Sequence, residues 1–187
     1  RLCHAASVSG LKSTLGYGAP TCSLSDFIGT DLLVIFGSDL ATNQPVTTKY
    51  MHYAKKAGTR IVVVDPMREH GPRRYGVPSV VNSAVFDTKL LDDFFQVGVG
   101  GDIAFINGVI KTLIANDQLN RKFIDKHTAL FSKLRAALDQ QSWEMLEQRS
   151  GLARADMQRF AALYGQARTA VIVYSMGLTQ HEFGVDN

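Results

Sequence analysis

Five short segments of the chain carry residue types able to do chemistry. Cys3-His4 sets a thiol, a soft metal ligand once deprotonated, beside an imidazole that can take up a proton. Gly37-Ser38-Asp39-Leu40-Ala41-Thr42-Asn43-Gln44-Pro45 is small and polar, so its backbone N–H groups can approach a phosphate at a helix start. A solvated connection with a Thr or Asn cap would have the same composition. The segment has neither G-x-G-x-x-G nor the lysine of a P-loop, which argues against an ordinary Rossmann or nucleotide triphosphatase site. Asp65-Pro66 offers a carboxylate to a ribose hydroxyl or a guanine edge, or else forms a turn. Gly100-Gly101-Asp102 reads as a turn and a helix cap, and Met176-Gly177-Leu178-Thr179-Gln180-His181 groups a hydroxyl, an amide and an imidazole. The residues alone leave a ligand role and a structural role open for each segment. The sequence contains no CxxC, no HExxH and no cysteine cluster of the kind that binds zinc or iron–sulfur centres.

These segments need elements to position them. Residues 31–37 form an unbroken apolar run ending in glycine, the pattern of a parallel strand buried on both faces. Pro45 suits a first helical turn, and a helical pattern over 47–57 closes at Gly58. A second buried strand is expected over 60–64, which completes a βαβ unit. Residues 67–82 hold repeated glycine and proline breaks with Arg68, Glu69, Arg73 and Arg74, the signature of a long surface loop. A short strand over 93–97 and a turn over 98–101 follow. Asp102 then reads as the N-cap of a helix over 103–115. Four more helices are expected near 121–127, 131–140, 143–149 and 155–167, and a third buried strand over 170–174. Strands alternating with helices predict an α/β fold, a three-layer Rossmann-like and mostly parallel sheet with flanking helices. In such sheets ligands sit beyond the carboxyl ends of the strands, and most of the segments above lie there.

A length of 187 residues suits one sizeable domain over 1–187. Hydrophobic residues at 45% and charged residues at 20% fit a globular α/β protein with a substantial core. The net charge of +3 is mild, and pairs such as Lys55-Lys56 and Arg73-Arg74 are scattered, so no nucleic-acid partner is expected. No apolar run approaches the roughly 18–20 residues of a membrane span, and no signal-peptide pattern opens the chain. The chain begins at Arg1 and closes on Gly184-Val185-Asp186-Asn187, so both ends read as cut. Cys3 and Cys22 are too few for a disulfide scaffold.

Taken in order, the segments resemble the molybdopterin oxidoreductases of the dimethyl sulfoxide reductase superfamily, and formate dehydrogenase alpha subunits in particular. Residues 1–11 are similar to the stretch carrying the metal-ligating cysteine or selenocysteine. Residues 37–45 resemble the family loop G-x-N-P-A-x-x-H-P. Val64-Asp65-Pro66, residues 100–104 and residues 176–180 are similar to three further family segments in the same order. The resemblance implies that Cys3 ligates molybdenum or tungsten and that His4 takes the substrate proton. It implies that Gly37, Ser38, Asp39, Thr42, Asn43, Asp65, Arg68, Gly101, Asp102, Met176, Gly177 and Gln180 hold one of two molybdopterin guanine dinucleotides. Asp39 stands where the family has Asn, Leu40 where it has Pro, and Met67 where it has Arg, with Arg68 one position later; the stretch over 69–95 is also longer.

The function implied is a two-electron oxidation of a small substrate, formate-like, with electrons passed to partner subunits or a carrier. A 4Fe-4S cluster would belong to a preceding domain and the second pterin to a following one. The resemblance points to a bacterial protein, placed in the cytoplasm or alternatively the periplasm. The rival reading is a cofactor-less structural scaffold subunit of an electron-transfer complex. A plain nucleotide-binding module would require a phosphate fingerprint that this sequence does not contain.

Overall fold

The computed structural model describes residues 3–68 and 90–187. They form two compact units, Arg1–Gln96 with Arg168–Asn187, and Val97–Ala167.

The first unit holds a four-stranded, all-parallel sheet in the order β3-β2-β1-β4, with β1 at Leu32–Phe36, β2 at Arg60–Val64, β3 at Asp93–Phe95 and β4 at Ala170–Tyr174. β1 is buried along its whole length and β2 from Ile61 onward. Their apolar runs are therefore explained by cover on both faces. On one face Leu33, Ile35, Ile61 and Val63 pack with Met51 and Ala54 of helix α3, Pro45–Lys56. Each such side chain, fully buried, contributes roughly 1.5–3 kcal/mol. α3 starts on Pro45, whose missing N–H costs nothing in a first turn. Gly58 ends the connection at a φ of 93°, where a side chain would be strained. The β3 edge is pinned by Asp92, which accepts from Lys55 Nζ at 2.7 and 2.8 Å and from the Ile61 N–H at 2.7 Å.

Three α-helices add to the expected set, α1 at Ala5–Leu15, the single turn α2 at Leu40–Asn43 and the single turn α9 at Met176–Thr179. The strand expected over 93–97 ends at Phe95. β4 corrects the expectation of a third buried strand. Among the described residues it pairs only with β1, its residues are half-buried or exposed, and Ile172 is 49% exposed. An apolar run records strand propensity in both cases, but an edge position leaves β4 with one neighbour where β1 has two. Of the basic loop expected over 67–82, residues from 69 onward lie outside the described residues; Met67 and Arg68 are exposed.

The second unit is helical: α4 at Asp102–Ala115, α5 at Arg121–His127, α6 at Phe131–Asp139, α7 at Trp143–Ser150 and α8 at Arg154–Gln166. α4 lies against α7 and α8, with the Phe105 and Phe160 rings edge to face at 5.1 Å. Gly108 lets α8 approach, because a Cβ there would collide with the Met157 thioether. Lys111 Nζ donates to the carbonyls of Leu138 at 2.9 Å and Gln141 at 2.6 Å, closing the end of α6. Asp102 is not the N-cap. Gly101 holds that position, and Asp102 is the first helical residue, 6% exposed, where a carboxylate meets the positive end of the helix dipole.

Candidate functional site

The parallel register aligns Phe36 with Val64 on one side and with Tyr174 on the other. The residues that follow these strands must therefore meet at one edge. The Gly37 N–H donates to the Val64 carbonyl at 3.0 Å, and the Ser175 N–H to the Phe36 carbonyl at 3.3 Å. Gly37, with a φ of 54°, turns the chain away from β1. Its carbonyl then accepts from the Gly177 N–H at 3.1 Å. A Cβ on Gly177 would lie 2.5 Å from that oxygen, and one on Gly37 would lie 2.8 Å from Leu178 N. Two glycines thus let the β1 and β4 loops touch backbone to backbone.

Beyond Gly37, Ser38 and Asp39 are half-buried, and Thr42 and Asn43 are exposed on α2. Asp39 caps α2, its Oδ1 accepting from the Thr42 N–H at 3.2 Å. This explains a carboxylate where the resemblance has Asn, since either side chain can cap. After β2, Asp65 Oδ1 accepts from the Met67 N–H at 2.9 Å, and its carboxyl also accepts from the Ser38 N–H. Burial pushes the Asp65 carboxyl above its ordinary range, the charge of Asp39 adds to that, and the two backbone donors oppose it. A carboxyl so placed favours a partner that donates hydrogen bonds or carries positive charge. Arg68 lies with its guanidinium 4.9 Å from the centre of the Phe94 ring.

After β4, Met176 and Gly177 are exposed on the short helix α9, Met176–Thr179. Gln180 Nε2 donates to the Cys3 carbonyl at 3.3 Å. This bond joins the β4 end to Cys3-His4, which immediately precedes α1. Cys3 is a free, exposed cysteine. His4 and the α1 residues Ala5, Val8, Ser9, Lys12 and Ser13 line an open groove of about 740 Å³.

The structure thus brings Gly37, Ser38, Asp39, Asp65, Met176 and Gly177 to the carboxyl edge of one sheet, with Gln180 and Cys3 tied to it. Gly101 and Asp102 belong to the helical unit. There a Cβ on Gly101 would lie 2.7 Å from the Arg149 carbonyl, so close packing against α7 accounts for that glycine. Among the described residues no three His, Cys, Asp or Glu side chains are grouped to hold a metal.

Three residues at this edge were not among those assigned to the cofactor from the sequence, although Thr179 and His181 lie in a segment singled out there. Thr179 is 7% exposed and its hydroxyl has no partner among the described residues. His181 Nε2 lies 2.7 Å from Asn187 Nδ2, a contact between residues six apart that no motif announces. Phe94, which carries Arg68, read only as a strand residue.

No protein-family model matches the chain. The chain is 31% identical over 201 residues to the protein YdeP of Escherichia coli, covering 100% of this chain and 26% of that protein. It is 31% identical over 191 residues to an uncharacterized oxidoreductase of Mycobacterium tuberculosis, covering 98% and 24% respectively. It is 33% identical over 187 residues to F420-dependent formate dehydrogenase 1 subunit alpha of Methanococcus maripaludis, covering 100% and 25%. Acetylene hydratase from Pelobacter acetylenicus superposes on 92% of the chain with a TM-score of 0.69 at 17% identity, which shows a shared α/β fold over 21% of that structure. The chain spans about a quarter of the length of the curated relatives it matches. Over that quarter its relatives include uncharacterized oxidoreductases and formate dehydrogenase alpha subunits, in agreement with the resemblance carried by its motifs.

Proposed function

We propose that the chain is the dinucleotide-binding middle of a molybdenum- or tungsten-dependent oxidoreductase of the formate dehydrogenase type. It holds one molybdopterin guanine dinucleotide at the carboxyl edge of its sheet. The observation that carries this reading is the backbone contact of Gly37 and Gly177. It draws the ends of β1 and β4 together beside Ser38, Asp39 and Asp65, at the carboxyl edge of a parallel sheet, where ligands of such folds lie. In this reading Ser38, Thr42 and Asn43 meet its phosphates, and Asp65 meets donors of the guanosine. Arg68, Met176 and Gln180 surround the rest.

Bound there, the metal–pterin group would supply a two-electron acceptor for a small substrate. The chain's own residues do the positioning. Cys3 presents its thiolate as the protein ligand, with its peptide held by Gln180. His4 takes the substrate proton at a ring nitrogen, beside the groove along α1. Residues 1–187 form one functional domain in this reading. An iron–sulfur domain with a 4Fe-4S cluster and the domain for the second pterin belong to the rest of a longer polypeptide. The protein works in the cytoplasm and hands electrons to partner subunits or a carrier. No helix among the described residues is long and apolar enough to cross a membrane.

One observation favours a second reading, the cofactor-less scaffold. Asp39 and Asp65 place two carboxylates at an edge that would receive phosphates. Metal and pterin analysis of the protein expressed from its complete gene separates the two. The enzyme reading expects molybdenum or tungsten with pterin in the wild type and loss of the metal in Cys3→Ala with an unchanged unfolding midpoint. A wild type free of both metal and pterin overturns it in favour of the scaffold.

A further inference from the structure

In the segment 176–187 the Thr179 hydroxyl and Asn187 Oδ1 are buried without a partner among the described residues. A buried hydroxyl or amide oxygen left unpaired costs on the order of 1–3 kcal/mol, so each of the two calls for a hydrogen-bonding partner from a ligand, from water or from the rest of the polypeptide.

His181 completes the cluster, and its protonation pattern can be deduced. Asn187 Nδ2 donates to the Leu178 carbonyl at 2.8 Å. A carbonyl only accepts, so this contact fixes which end of the Asn187 amide is nitrogen; the flipped amide would set two oxygens against each other. The same Nδ2 lies 2.7 Å from His181 Nε2. An N–H facing a ring nitrogen requires a lone pair there, so the proton of the neutral ring sits on Nδ1. Among the described residues Nδ1 has no partner, and His181 is only half-buried.

We propose that Asn187 is a positioning residue that sets the His181 proton on Nδ1, and that His181 uses this N–H to hold an oxygen acceptor of the ligand bound at the sheet edge. The ligand half rests on the function proposed above; the tautomer half does not. His181 directly follows Gln180, whose amide holds the Cys3 peptide, so the donor lies on the same short stretch that ties β4 to Cys3. Asn187 thus acts through His181 on whatever occupies this edge.

The tautomer is read from the imidazole ¹⁵N shifts of the chain labelled at its five histidines, with His181→Asn assigning the resonance by its loss. The expected spectrum shows Nδ1 protonated, and Asn187→Leu releases the ring to a mixture of both tautomers. A protonated Nε2 in the wild type, or an unchanged spectrum in Asn187→Leu, overturns the proposal.

The ligand half is read from the pterin content of the protein expressed from its complete gene. His181→Asn places an amide N–H near the position of Nδ1, whereas His181→Gln places it near Nε2. His181→Gln is expected to retain roughly tenfold less pterin, the loss of one hydrogen bond to a charged partner. His181→Asn is expected to stay close to the wild type. Equal content in both variants overturns the donor role, while a wild type without pterin overturns it together with the function proposed above and leaves the tautomer result standing.

Discussion

The Gly177 N–H donates to the Gly37 carbonyl at 3.1 Å, and the backbone at each glycine occupies space that a Cβ on the other would need. The contact sits where β1 and β4 both end, so it sets how closely the two loops that border the candidate site approach each other. Gly177→Ala is expected to destabilise the protein by about 1–3 kcal/mol through overpacking against backbone, which cannot rotate away. Gly37→Ala carries the same clash and adds the strain of a positive φ. Chemical denaturation of both variants checks this. Gly29→Ala, with a φ of 88° and open space around its Cβ, isolates the backbone strain alone. A Gly177→Ala variant as stable as the wild type would show that the loops part without cost.

The sheet was legible in the sequence because burial on both faces leaves an unbroken apolar run, and Leu32–Phe36 and Arg60–Val64 carry one each. The candidate site was legible for a related reason. Parallel strands gather their ends, so Gly37, Asp65 and Gly177 could be grouped from strand positions alone. Edge position was not legible. Ala170–Tyr174 is an apolar run like β1 yet pairs on one side only among the described residues, and neighbours are a property of topology rather than of local pattern. Asp102 read as a cap because acidic residues favour both a cap and a first turn, and only backbone angles distinguish them. The pairing of His181 with Asn187 depends on how the chain curls after α9, and no periodicity encodes it.

Asp65 couples stability to pH with a definite sign. Its carboxyl is raised by burial first and by Asp39 second, so the folded state binds a proton that the unfolded state releases sooner. The stabilisation from protonated Asp65 is fully present below the unfolded value of 3.8 and is lost as pH rises through the raised folded value. Asp65→Asn keeps an acceptor for the Met67 and Ser38 N–H groups and removes the charge. Its unfolding midpoint at pH 7 is therefore expected above that of the wild type, with the difference vanishing below pH 3.8. If Asp65 also meets donors of a bound dinucleotide, the same variant loses pterin while gaining stability. A lower midpoint at pH 7 would show that the carboxylate is a net stabiliser.

Arg68 is placed by a ring. Its guanidinium lies 4.9 Å from the Phe94 centroid, an arrangement that a planar group exploits better than an ammonium does. Arg68→Lys keeps the charge but loses the stack and the fork that suits phosphate. Under the proposed function it should retain several-fold less pterin, and Phe94→Leu should follow it in the same direction. Arg73→Lys and Arg74→Lys serve as charge-conserving controls. Pterin content that is equal in all four variants would reduce Arg68 to a solvated surface residue.

His52 gives a second pH dependence, opposite in sign to that of Asp65. It lies on α3 at 5% exposure, and burial first and Lys56 second lower its pKa from 6.5. The unfolded chain therefore binds a proton near pH 6.5 that the folded chain refuses. Between the folded value and 6.5 the unfolded state holds more protons, so stability falls as pH is lowered through that window. Above the window both states are neutral and His52 contributes no slope. His52→Gln removes the titrating group while keeping a polar side chain of similar reach. Denaturation midpoints measured from pH 7.5 down to 5 should fall more steeply for the wild type than for His52→Gln, and parallel curves would show that the buried ring charges without resistance.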